Sequence, residues 1–198
     1  MNKKSLMRLM DVVLALALFR VLDNLDLPYP RTLGGLWNMH RDIFRTATSV
    51  LWLVMLWLSL YPVRDSGKRV SRLTVTSGAA LCVSVLAMTY ANHLVIYSYK
   101  ALLSQLIYGG TAMLCGASAW ALCRGLGRDN PDVPECRDAC RICERSLAVA
   151  LGLMLAGMVA CVLKFRQAMW YSVAAAGIWL SVRWMTGKDK YRFVGERD

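Results

Sequence analysis

Five long stretches without a charged residue divide the chain: Thr46–Val63, Leu73–Tyr99, Ala101–Cys123, Ser146–Leu163 and Gln167–Val182. A bilayer core of about 30 Å is crossed by about 20 helical residues. Four of the stretches meet that length, and the last reaches it if Trp184 and Met185 lie at the interface. A sixth apolar segment, Ser5–Leu27, differs because it keeps charges. The pattern predicts an all-α polytopic membrane protein, a bundle of six transmembrane helices, or five if helix one is interfacial. The predicted spans are about 5–27, 46–63, 73–97, 101–123, 146–163 and 167–185. A cytosolic loop over 124–145 is expected, and the whole chain reads as one membrane domain.

The first segment carries Arg8, Asp11, Arg20 and Asp23, with Asp26 near its end. At about 100° per residue these charges share one half of the helical wheel, and Leu14, Leu18, Val21 and Leu25 take the other. Arg8 with Asp11, and Arg20 with Asp23, are i,i+3 neighbours that can pair on the helix itself. Charge inside a span is costly and usually faces the bundle interior or water. The seam therefore reads in two ways: a polar lining or switch within the bundle, or an amphipathic helix with snorkelling ends. Lys3, Lys4 and the Ala15-x-Ala17 step also imitate a signal peptide, but Asp11 interrupts the apolar core that one requires.

Composition strengthens the membrane reading. Of the 198 residues 57% are hydrophobic and 19% charged, and mean hydropathy is +0.39. A net charge of +11 would suggest nucleic acid in a soluble protein, but here its placement along the chain explains it. With six spans, one side collects Lys3, Lys4, Arg8, Arg64, Lys68, Arg69, Arg72, the five arginines of 124–145, and the basic C-terminal tail. The other side holds only Arg31, Arg41, Arg45, Lys100, Lys164 and Arg166. Inward loops carry the Lys and Arg excess. The expectation is a bacterial inner-membrane protein with both termini cytoplasmic, partnered by the lipid bilayer and by no nucleic acid.

Polar and small residues then mark helix faces. Thr89, His93 and Tyr97 follow one i,i+4 stripe on the outer half of the third span, beside Asn92. Two histidines, His40 and His93, make too few ligands for a metal, so the stripe reads as interhelical hydrogen bonding. Tyr108-Gly109-Gly110-Thr111 and Gly116–Ala119 predict a thin fourth helix that admits a close neighbour. In the fifth, Ala148, Gly152, Ala156 and Ala160 recur every four residues. Lipid offers no hydrophobic drive for helix association, so a smooth face of this kind serves close backbone contact. It is expected either to close the hairpin with helix six or to make a homo-oligomer interface.

The loop before helix five carries Cys136, Cys140 and Cys143 and alternating charges, among them Arg137, Arg141 and Arg145. Spacings of four and three put the sulfurs on one face of an inward extension of helix five. Three thiolates lack the fourth ligand of a closed zinc site, so three solvent-side thiols with no cofactor and no metal are expected. Cys82, Cys115, Cys123 and Cys161 read as small apolar residues in the spans. The loop's charges cancel, which suits a cytosolic protein partner better than a lipid surface, where an unbroken basic patch is preferred. There is no H-E-x-x-H, no G-x-S-x-G and no phosphate-binding glycine loop, so no enzyme activity is expected.

Asp11-Val12-Val13 followed by Ala15 and Ala17, then Trp37-Asn38-Met39-His40 and later Tyr108-Gly109, resemble the motifs of six-helix bacterial relatives of the lysosomal potassium channel. The family opens with an F-S-D-G-x-x-A-x-A-like helix; here Leu9-Met10 precedes the aspartate. The resemblance implies a cation pore closed by apolar side chains of helix one, with Leu16 at such a position.

Two functions are thus expected of this architecture. The first is a homo-oligomeric membrane sensor or anchor for a cytosolic partner, such as a defence or stress effector. The alternative is an ion channel, potassium-like in selectivity, with helix one lining an oligomeric pore.

Overall fold

The computed structural model describes residues 3–23, 33–66, 69–98, 102–163, 165 and 168–192; within 33–42, 93–98 and 187–192, among others, only the backbone is described. Six α-helices follow one another: α1 Lys3–Asp23, α2 Leu33–Ser66, α3 Arg72–Ser98, α4 Leu102–Asp129, α5 Pro134–Val162 and α6 Ala168–Arg192. The all-helical class expected from the hydropathy pattern is present. Four helices contain segments long and apolar enough to cross a membrane: Ile43–Tyr61, Arg72–Asn92, Leu102–Asp129 and Pro134–Val162. Among the described residues α1 and α6 do not qualify.

Helices extend past the apolar stretches that predict them. α2 starts at Leu33, so most of the connection between the first two predicted spans, 5–27 and 46–63, is helical. The expected loop 124–145 is helical too, apart from a short turn over 130–133 between α4 and α5. The reason is that loss of hydropathy marks the end of lipid contact, while backbone hydrogen bonding continues wherever the side chains are good helix formers. Arg, Glu and Ala around the turn are such residues. Pro134 occupies the first turn of α5 and Glu135 its acidic N-terminal position, both favourable where free N–H groups point outward.

Around the bundle the contact order is α1, α3, α4, α5, α6, α2 and back to α1, with α2 and α4 also touching helices across the ring. The core includes Trp52, Leu53 and Leu56 of α2, Met88 of α3, Tyr108, Leu122 and Leu126 of α4, Leu147 and Met154 of α5, and Met169 and Leu180 of α6. α1 lays Leu6, Met7, Leu14, Ala17 and Val21 against it. The thin fourth helix is realised: a Cβ on Gly109 would overlap the Met169 side chain, and one on Gly125 would meet Thr74 Oγ1.

At one end of the bundle a polar clasp joins the start of α3 to the end of α4. Asp129 Oδ2 accepts from the Ser71 N–H and from Thr74 Oγ1, each at 2.6 Å. Ser71 Oγ in turn accepts from the Thr74 N–H at 3.3 Å, as an N-cap does. The Asn130 side chain accepts from the Arg69 N–H at 2.8 Å and donates to the carbonyls of Arg69 and Leu126 at 2.9 and 3.0 Å. This clasp holds in place the turn from which the thiols of α5 hang.

Candidate functional site

The charged seam of α1 does not line the bundle interior. Arg8, Arg20 and Asp23 face outward among Leu9, Val12, Leu16 and Phe19. Arg20 Nη1 pairs with Asp23 Oδ2 at 3.3 Å, the two side chains 69% and 53% exposed. Among the described charges of the seam, Asp11 turns toward a neighbour: Trp57 Nε1 donates to Asp11 Oδ1 at 3.2 Å across the α1–α2 boundary; Asp26 lies outside the described residues. The i,i+3 spacing thus forms a pair at Arg20 and Asp23, while the important partner of Asp11 comes from another helix.

The outer stripe of α3 is split. Asn92 is fully buried and accepts from Ser49 Oγ of α2 at 3.2 Å. Thr89 is buried as well, but its hydroxyl returns to the Leu86 carbonyl at 2.7 Å. The side chains of His93 and Tyr97, like those of Trp37 and His40, lie outside the described residues. Ser49 also shares a hydrogen bond of 2.8 Å with the Tyr108 hydroxyl. Tyr108 stacks on Trp170 of α6 with centroids 4.1 Å apart, and the Arg45 guanidinium stands 5.0 Å over that indole. The sequence pattern groups Arg45 with the outer connecting charges, yet it is buried, at 3% exposure. Its i,i+4 relation to Ser49 is the signal that places both on the inner face of α2.

On α5 the structure separates two small-residue faces. Ala148, Gly152 and Ala156 face outward and Ala160 is half-exposed; a Cβ on Gly152 would have no neighbour within 4 Å. The residue that lets α6 approach is Gly157, where a Cβ would run into the Ser172 side chain, with the Ala168 carbonyl 3.1 Å away. The stripe therefore does not close the α5–α6 hairpin. Arg137, Arg141 and Arg145, all exposed, continue the same face of α5 toward its N-terminus. Arg141 lies 4.0 Å from Asp138 and Glu144 3.9 Å from Arg124, contacts worth little where water screens them.

The thiols correct the sequence reading most plainly. Cys136, Cys140 and Cys143 do share one face of α5, but that face is buried, with exposures of 0%, 2% and 3%. They are not solvent-side. Against them lies Cys123 of α4, itself fully buried, with Cys123 Sγ 2.9 Å from Cys143 Sγ and Cys136 Sγ 4.0 Å from Cys140 Sγ. Among the described residues no group of three or more His, Cys, Asp or Glu is arranged to hold a metal ion. Sequence reading missed Cys123 because it lies within the apolar run of another helix, where cysteine packs as a small hydrophobe.

Comparison with protein-family models, curated proteins and solved structures finds no match to this chain.

Proposed function

We propose that this chain is a non-enzymatic, multi-pass protein of the bacterial inner membrane that self-associates and serves as a sensor or anchor for a cytosolic protein. In this reading all six helices cross the bilayer with both termini inside. The observation that carries it is the outward face of α5. A smooth row of Ala148, Gly152 and Ala156, continued by the half-exposed Ala160, lies open in a helix apolar enough to span. Small residues let backbones approach, which is how helices associate in lipid. The arginine row Arg137, Arg141 and Arg145 continues that face beyond the apolar run and offers a cytosolic partner an exposed cationic ridge. The packed interior also favours an anchor, since Trp52 and Tyr108 fill the bundle and are fully buried.

Cross-linking of the protein in native-like membranes tests this. Wild type should give discrete oligomers, and Gly152→Ile should reduce them to monomer without loss of folded protein. A wild-type chain that stays monomeric at every protein-to-lipid ratio would remove the reading.

The competing reading is an ion channel with α1 lining an oligomeric pore. It draws on the outward position of Leu16, Arg20 and Asp23. Arg20 at a pore surface would oppose cation flow, so proteoliposomes of wild type are expected to show no selective potassium flux. Flux that changes in Asp11→Asn or Arg20→Leu would establish the channel instead.

A further inference from the structure

Four thiols meet at the end of the bundle where α4 passes into α5, and two of them belong to different helices. Cys123 Sγ and Cys143 Sγ stand 2.9 Å apart, less than about 1 Å beyond a covalent S–S bond of about 2.05 Å. The Asp129 and Asn130 clasp fixes the end of α4 against the start of α3, and the Val133 N–H bonds to the Asn130 carbonyl at 3.3 Å across the short turn into α5, so little backbone movement is needed. The second pair is different. Cys136 and Cys140 lie at i,i+4 on one helix with sulfurs 4.0 Å apart. Cβ atoms at that spacing are about 5–6 Å apart, beyond the roughly 3.5–4.5 Å a disulfide accepts.

A groove on the bundle surface reaches this site. Its lining includes Ser59, Cys143, Ser146 and Arg183. Cys143 is therefore the sulfur that a small molecule can approach, along a route that Arg183 also lines. Cys123 lies behind it, fully buried.

We propose that Cys123 and Cys143 form an oxidisable dithiol, a modification site at which a small peroxide closes a disulfide between α4 and α5. The Cys143 thiolate attacks a peroxide oxygen; the S–O bond forms, the O–O bond breaks, and hydroxide leaves and takes up the thiol's proton as water. The Cys123 sulfur then attacks the Cys143 sulfenic sulfur, the S–S bond forms and a second water departs with the Cys123 proton. Two thiols and one hydrogen peroxide give one disulfide and two waters. A dithiol reductant reverses the change. The bond ties the two helices across the turn that precedes the arginine ridge. Its formation does not depend on whether the protein is an anchor or a channel.

The test uses the full chain in detergent micelles, reduced and then exposed to hydrogen peroxide. The protein is then unfolded in denaturant, remaining thiols are blocked with N-ethylmaleimide, and the protein is digested for mass spectrometry. Two of the seven cysteines should become unreactive, a 123–143 linked peptide should appear, and dithiothreitol should restore both. The same peptide should form in the double variant Cys136→Ser, Cys140→Ser. Seven thiols still reactive after peroxide, a 136–140 or intermolecular link in place of 123–143, or protection of the thiols by a co-purifying metal would overturn the proposal. The wild-type peptide map needs no variant to fold, and an unchanged elution volume on sizing shows that oxidation acts on the intact bundle.

Discussion

The Trp57 indole on α2 donates its N–H to Oδ1 of Asp11 on α1, at 3.2 Å. This bond fixes the rotation of a helix whose charges Arg8, Arg20 and Asp23 point away from the bundle. Trp57→Phe should weaken the protein by about 1 kcal/mol, the usual scale of a hydrogen bond in a half-buried or membrane setting. Arg20→Leu should change stability by less than about 0.5 kcal/mol, as expected for an exposed ion pair. Unfolding in mixed micelles by denaturant measures both. Equal costs for the two variants would mean that Asp11 and Arg20 do not have separate roles.

Gly157 and Gly152 lie five residues apart in sequence on one helix but in opposite surroundings. Gly157→Ala drives a methyl group into the Ser172 side chain and should destabilise by about 1–3 kcal/mol, the cost of overpacking. Gly152→Ala meets nothing within the chain and should leave the melting temperature of the dilute, monomeric protein unchanged. Thermal melts at low protein-to-detergent ratio separate the two.

The Asp129 carboxylate holds the start of α3 through Ser71 and Thr74. Asp129→Ala removes the acceptor of both bonds and should cost about 1–2 kcal/mol, as loss of a helix cap does. Hydrogen exchange offers the finer measurement: the first turn of α3 should lose protection while the centre of α4 keeps it.

Tyr108 joins the two ends of a polar relay, taking part in a hydrogen bond with Ser49 while stacking on Trp170. Tyr108→Phe keeps the stack and deletes the hydroxyl, so a loss of about 1 kcal/mol is expected. Tyr108→Ala opens a cavity as well and should cost about 3–5 kcal/mol. The difference, read by chemical denaturation, separates the hydrogen bond from the packing.

Much of the architecture was legible along the chain. Six helices appear where the uncharged runs and the first charged segment predict them, and the thin fourth helix accepts Met169 at Gly109. The shared helical face of Cys136, Cys140 and Cys143 was legible too. The helix ends were not, because Arg, Glu and Ala carry a helix beyond the lipid as easily as they make a loop. α4 and α5 thus nearly meet, whereas α2 begins at Leu33 through Gly34 and Gly35, against helix propensity.

Of the candidate sites, the residue types were readable but their orientation was not. In water a helix buries its apolar stripe and shows its polar one. In lipid both the core and the surroundings are apolar, so hydropathy does not tell inward from outward. That is why Ala148, Gly152 and Ala156 could be singled out while their outward direction, and the inward one of Gly157, came only from the bundle. The order of hydrophobic and charged residues by itself determined a helical membrane chain, since lipid requires every backbone polar group to be bonded within the segment. Only the tertiary structure decided which helices became neighbours, that Asp11 would meet Trp57, and that Cys123 would meet Cys143. Those contacts depend on the rotation and crossing of helices far apart in sequence, which local periodicity does not specify.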